Sequence, residues 1–443
     1  MSLASEVKVT DSDRCAAAET KARIEEKMRR LREVAPSVLD LSVREPTLPA
    51  PYGHTLEDKK QLFRLAREFG FQDIAISTFA DYPTVDVQFI RHLIEQHADM
   101  DGLFSFCSPV QTEEGRPFKP NYGMERIAEC SIPNVIFDLE IRPRTLARLG
   151  RSYETCLRDI EMSIAYMRQL LPEETLRRGR IYPNLADLFD AFEEDSEFVV
   201  RVLKLLEALP ISAVIFEDVR GICFPFQTAE LVKLIRRYTP PPRKILVHPH
   251  GGNGLENATI IEAILAGADG TWAAFTPDGA QIGQASSLML LTNLLRAGNS
   301  HLRPVYRFDT LTETAQRMTR IHTGGDIDAN APVVGENAYR YIHPYFEQTD
   351  QLCDLPPEAV GRRAEYRITP GCAPSYIVGK RLTELGYPRE IAEDGRIIDT
   401  IRHLMNEAMM DGKRILFDDP VEIGKLVDTA QRRVRATAGS APK

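Results

Sequence analysis

The sequence predicts a closed (β/α)8 barrel of the TIM type followed by a mostly helical appendage. Three observations lead there. Short apolar segments alternate with amphipathic helical patterns, giving eight strand–helix pairs before residue 300. Several of the strands read as continuous apolar runs, as expected when both faces of a parallel sheet are buried. The repeats fill about the length such a barrel needs. An open doubly wound sheet is the competing architecture, and eight regular repeats favour closure.

Residues 1–12 are polar, and 13–34, rich in Ala, Glu, Lys and Arg, read as a solvated helix with Pro36 just past its end. That helix covers either the next domain or a second subunit; the sequence leaves both open. Val38–Ser42 is the first strand. Thr55 then caps a helix, with Asp58 three residues on to return the hydrogen bond. Leu62, Phe63, Ala66 and Phe69 form its apolar face, and Gly70 ends it. Further strands are expected near 72–77, 102–107, 134–139, 179–182, 212–216, 244–248 and 270–275. The helical period returns near 84–97, 123–130, 153–171, 196–208, 227–237, 255–266 and 284–297. The expected domains are an N-terminal helical segment (1–36), the barrel (37–300) and helical subdomains (301–443). In the last, Gly324-Gly325, Pro332 and Pro356-Pro357 punctuate irregular chain before helical patterns near 376–386, 389–410 and 419–436.

Composition narrows the function classes. Hydrophobic residues at 43% and charged residues at 27% are ordinary for a soluble globular protein. The net charge of −9, from 55 Lys+Arg against 64 Asp+Glu, supplies no global cationic field. It argues against a nucleic-acid or acidic-membrane binder while leaving room for a local anion pocket. Seven cysteines, an odd number with no C-x-x-C spacing, read as scattered reduced thiols and a cytoplasmic location. The N-terminus lacks a signal pattern, and no apolar run reaches membrane-spanning length.

Barrels of this kind carry their sites at the C-terminal ends of the strands. The seventh strand, Lys244-Ile-Leu-Val-His-Pro-His250, ends in two histidines one residue apart. Alternation along a strand puts His248 and His250 on one face. Two imidazoles there are half of a divalent metal site; two surface histidines at a loop mouth are the bland alternative. The same rim receives Asp40, Arg44 and Glu45 from the first strand, and Asp138 and Glu140 from the fourth. Asp187 and Asp190 follow the fifth; Glu217, Asp218 and Arg220 end the sixth; Thr276, Asp278 and Gln284 follow the eighth. Asp187 and Asp278 read better as helix caps or loop charges. A carboxylate with two histidines suits a divalent metal such as Mg, Mn or Zn. An adjacent arginine suits an anionic oxygen or an enolate. Gly251-Gly-Asn-Gly254 reads as a tight turn that lets the backbone pass close to the site, without the dinucleotide fingerprint or a following G-K-S/T.

Asp40-Leu-Ser-Val-Arg44-Glu45 resembles the D-x-T-L-R-D/E signature of the metal-dependent Claisen synthases and the HMG-CoA lyases. His248-Pro-His250, with Gly254-Leu255 and Ala258 after it, is similar to their H-x-H-N-D-x-G-x-A-x-A-N segment. Pro332-Val-Val-Gly-Glu-Asn-Ala-Tyr339 resembles P-x-x-G-x-N-A-F, and Arg381-Leu with Glu384-Leu-Gly386 resembles R-L-E-E-L-G. These last two point to the synthase branch, of homocitrate or citramalate synthase-like architecture. The resemblance implies a divalent metal held by Glu45, His248 and His250, and a 2-oxo acid chelated by it. Arg44 would steady the developing charge, with Asp40, Asp138, Thr276 and Gln284 as further expected substrate-binding positions. Glu217, Asp218 or Asp187, with His343, would handle protons.

Several positions depart from the family pattern. Phe346 stands where the synthases have a histidine, with His343 nearby; Gln284 stands near the lyases' asparagine ligand. Ala75 and Ser77 occupy the place of an acid and glycine on strand two, and Gly251-Gly252 replace N-D. The leading expectation is an acyltransferase condensing acetyl-CoA or a related acyl-CoA with a 2-oxo acid. The alternatives are a carbon–carbon lyase of the same superfamily and an inert metabolite-binding barrel. A homodimer is expected by the resemblance.

Overall fold

The structure is a computed structural model describing residues 9–44, 51–79, 84–112, 118–171, 179–279, 281–343, 355–370 and 375–439. Eight parallel strands close on themselves in sequence order. They are β1 (Ser37–Asp40), β2 (Asp73–Thr78), β3 (Leu103–Cys107), β4 (Asn134–Glu140), β5 (Ile181–Ala186), β6 (Ala213–Asp218), β7 (Lys244–Pro249) and β8 (Gly270–Ala273). The closing pair sets Ser37 against Gly270, where any Cβ would collide with the Ser37 carbonyl. Glycine is therefore required at that seam.

The barrel interior is packed with Leu39, Phe104, Ile136, Tyr182, Leu246 and Trp272, among others. Side chains alternate across a strand, so the residues two positions on face the same way, one layer nearer the C-terminal mouth. On four consecutive strands those residues are Asp138, Asn184, Glu217 and His248. The apolar floor thus fixes which polar groups share the mouth.

The helices follow from local rules. Thr55 and Asp58 form a reciprocal cap on Leu56–Phe69, and Gly70 ends that helix at φ +126°. Gly267 ends Glu256–Ala266 the same way. The expected strands and helices are present with shifted ends; the largest shift is β5, expected to stop at residue 182. It runs on through Pro183 to Ala186, registered against β4 throughout.

The N-terminal helix Asp11–Glu33 buries none of its residues. It is tied to the barrel through backbone carbonyls: Arg30 donates to Leu265 (2.6 Å), Arg32 to Ala297 (3.1 Å), and Asn299 to Leu31 and Val34 (both 2.7 Å).

The chain divides into two compact units, Met1–Asp326 and Ile327–Lys443. The stretch after residue 300, expected to open the appendage, belongs with the barrel up to Asp326. Tyr306 and Phe308 explain this, because both rings pack on Phe69. The second unit has its own core, including Ile377, Leu382, Ile398, Ile401 and Val427. Among the described residues no helix is long and apolar enough to cross a membrane.

Within the first unit the helix Leu311–Thr323 carries a buried His322 whose ring stacks on His54, with centroids 5.2 Å apart. Burial, then the charges of His54 and Lys59, push His322 down to about 3. Between pH 6.5 and 3 the unfolded chain takes a proton that the folded protein refuses, so stability falls as the pH drops through that window. His322→Gln should flatten the acid limb of a Tm-against-pH curve there. An unchanged slope would remove His322 as its cause.

Candidate active site

Strand register assembles the mouth in adjacent pairs. Asp138 on β4 lies opposite Asn184 on β5, and Glu217 on β6 opposite His248 on β7. The Asn184 amide donates to Asp138 Oδ1 at 3.1 Å and to Glu217 Oε2 at 2.6 Å. Glu217 Oε1 lies 2.8 Å from His250 Nε2 and 3.7 Å from His248 Nε2. A carbonyl can only accept, so the 2.6 Å contact of His248 Nδ1 with the Trp272 oxygen puts the proton on Nδ1. His248 Nε2 thereby faces Glu217, and the carbonyl contact fixes the ring as the partner of a metal-binding imidazole does. The two histidine rings are 4.7 Å apart, and both residues are buried.

Glu217, His248 and His250 form a group that could hold a metal ion, each offering one donor atom, with these atoms within 4.8 Å of one another. One carboxylate and two imidazoles suit a divalent ion of intermediate softness. Beside them Gln284 is 1% exposed and bridges His250 through its backbone. Neither Gln284 amide atom has a hydrogen-bond partner among the described residues, and neither does the Thr276 hydroxyl. Buried orphan groups of this kind call for a ligand, ion or water. The donor chemistry and these orphaned atoms therefore fit a divalent cation with further oxygen ligands.

The two mouth carboxylates are driven apart. Burial works against the charge of Glu217, yet His248, the His250 hydrogen bond and Asn184 outweigh it and bring it down to about 2. Burial and then the Glu217 charge push Asp138 up to about 7, with Arg44 and Asn184 pulling the other way. Arg44 is buried after β1, its Nε donating to Thr78 Oγ1 at 2.5 Å and its guanidinium lying over the Phe106 ring at 4.4 Å.

Other expected site residues lie elsewhere. Leu39 and Leu41 line the interior, so Asp40 between them faces the helical layer rather than the mouth. It accepts from the Ser42 hydroxyl (2.9 Å) and amide (3.1 Å), and burial pushes it up to about 7. The Asp218 carboxylate accepts from the Cys223 amide at 2.8 Å and shapes the loop. Asp187 takes a left-handed backbone (φ +46°) at the start of a short helix. His343 lies in the second unit. Glu45 and Phe346 fall outside the described residues. The glycine turn packs as expected: a Cβ on Gly252 would strike the Arg220 carbonyl. Sequence reasoning missed Asn184, whose signal is its two-residue offset from Tyr182.

Fold and rim together define a (β/α)8 barrel with its polar groups gathered at the C-terminal mouth. No family model matches the chain. It is 26% identical over 248 residues to a protein of Archaeoglobus fulgidus assigned as a 2-isopropylmalate synthase, covering 54% of this chain and 47% of that one. A second protein of that organism, assigned as an (R)-citramalate synthase, is 24% identical over 290 residues, 57% of each chain. The chain thus spans about half the length of the curated relatives it matches. The crystal structure of the Bacillus subtilis HMG-CoA lyase shares the fold, with a TM-score of 0.53 and 16% identity over 67% of this chain and 96% of that one. The chain is thus similar in part of its sequence to these synthases and in fold to this lyase.

Two outcomes follow from the mouth. Asn184→Leu strands two half-buried carboxylates without their shared donor and should lower unfolding stability by about 1–3 kcal/mol in denaturant titration. Asp138 has a folded value above its ordinary 3.8, so its contribution is complete in acid and is lost as pH rises through about 7. In metal-free protein, Asp138→Asn should remove that decline. A parallel pH profile for variant and wild type would contradict the placement.

Proposed function

We propose that this protein is a divalent-metal-dependent acyltransferase that condenses an acyl-CoA with a 2-oxo acid. The observation that carries the reading is the Glu217–His248–His250 group on the rim that also bears Arg44. The curated relatives are synthases, which favours condensation. The lyase direction is the second reading, since enolate stabilisation serves both directions.

His248 and His250 would hold the metal with Glu217, and Glu45 is a further proposed ligand. A bound divalent ion supplies Lewis acidity toward a carbonyl oxygen. The protein's own groups do the rest. Arg44 binds the oxo-acid oxygen and balances negative charge as it develops. Asp138, able to carry a proton near neutral pH, exchanges one with the substrate. Gln284 and Thr276 give buried polar atoms to the oxo acid or to the metal's water. Trp272 and Phe106 wall the floor, excluding water and raising the strength of each charge contact. A homodimer belongs to the same proposal.

His248→Ala and His250→Ala should each abolish stoichiometric binding of Mn or Zn in titration calorimetry while leaving the circular dichroism spectrum unchanged. Arg44→Ala should keep metal binding and lower kcat/KM about 10²–10³-fold, the scale of losing one charge-stabilising donor. Free-thiol release from acetyl-CoA with a panel of 2-oxo acids tests the reaction. Release with none of them, alongside cleavage of a 3-hydroxyacyl-CoA, would move the assignment to the lyase reading. Failure to bind any divalent ion after reconstitution would leave an inert barrel.

A further inference from the structure

Lys59 lies on the inner face of the helix Leu56–Phe69 and is 3% exposed, an unusual burial for a lysine. Among the described residues its ammonium makes two contacts: Asp86 Oδ1 at 2.6 Å and the Val43 carbonyl at 3.0 Å. The other oxygen of Asp86 accepts the backbone N–H of Thr78 at 2.9 Å. Val43 directly precedes Arg44, and Thr78 carries the hydroxyl that accepts from Arg44 Nε. One buried ion pair therefore pins both backbone segments that place the Arg44 guanidinium. On β2 itself the inward positions offer no carboxylate: Ala75 packs in the core and Ser77 donates to Ser105.

We infer that Lys59 and Asp86 are positioning residues for Arg44: together they fix the distance between the end of β1 and the end of β2. Neither touches the reacting atoms. They set where the guanidinium sits over Phe106 and how it faces the mouth. A buried pair can often be replaced by apolar residues of similar volume with little loss of stability. What such a replacement takes away here is the cross-link between the two strand ends. The functional consequence rests on the proposed role of Arg44 as the anion-binding group, whereas the positioning can be read directly.

The test combines Lys59→Met with Asp86→Leu in the full chain, with arginine labelled by ¹⁵N and the Arg44 Nε–H resonance assigned through its absence in Arg44→Lys. In wild type that resonance should be sharp and slow to exchange with water. The folded double variant should show it broadened or moved, with hydrogen exchange at least 10-fold faster. Pyruvate or 2-oxoglutarate, whichever binds wild type, should bind the variant at least 10-fold more weakly. Lys59→Arg, which keeps both contacts, should restore both readouts. Asp86→Asn covers the case in which the double variant does not fold: it leaves an oxygen for Thr78 and weakens the tie to Lys59, so it should move the resonance the same way. An unmoved Arg44 resonance in either folded variant overturns the inference. A moved resonance with unchanged oxo-acid binding in both the double variant and Arg44→Ala leaves the positioning intact and instead overturns Arg44 as the anion-binding group.

Discussion

A carboxylate kept charged in a largely desolvated mouth is the interaction around which the site is built. Taking Glu217 out of water disfavours its anion, and the structure answers with two imidazoles and an amide at short range. The consequence extends two strands away. With Glu217 held negative, Asp138 meets a like charge in a low-dielectric environment and keeps its proton to about pH 7. Carboxyl groups driven apart in this way are the arrangement that separates an acid from a charged ligand within one site. Asn184 belongs to both, donating one N–H of its amide to each.

The alternation of the barrel strands is what makes this assembly possible. The floor residues Ile136, Tyr182, Ile215 and Leu246 are held inward by packing, and each commits the residue two positions on to the same side. The His248 ring is braced further, by the Trp272 carbonyl on Nδ1 and by the Trp272 ring 4.5 Å away. Loop backbones close tightly around this layer. The His250 amide donates to the Asp218 carbonyl at 3.1 Å, and Gly221 and Gly252 sit where a side chain would have no room. The rim is thus a rigid extension of the sheet, which is what charge stabilisation at fixed positions demands.

The architecture was legible because strand runs, caps and terminating glycines are local signals, and Thr55, Asp58, Gly70 and Gly267 behave as local rules dictate. The errors of placement arise where tertiary context reverses a residue's usual meaning. Pro183 reads as the end of a strand, yet it sits inside β5 and hides Asn184 behind it. Asp40 belongs to the signature stretch, but parity with Leu39 and Leu41 turns it to the helical layer, and nothing in a four-residue strand buried on both faces announces which face is which. Lys59 falls in register with Leu62, Ala66 and Phe69, so spacing marks it as inward while its charge argues for solvent. Only the partner Asp86, distant in sequence, decides between them.

Retention of a buried ion pair needs a reason beyond stability, because its desolvation offsets much of the attraction. Here the reason is geometric. An apolar contact between the helix Leu56–Phe69 and Asp86 would slide, since dispersion has little directional preference. The ammonium and carboxylate fix two hydrogen-bond directions each, and those directions end on Val43 and Thr78. The spacing around a few rim residues is therefore set by short-range polar contacts rather than by the bulk of the core. In such a barrel the chemistry depends on how firmly the strand ends are tied, and Lys59 with Asp86 ties the two that flank Arg44.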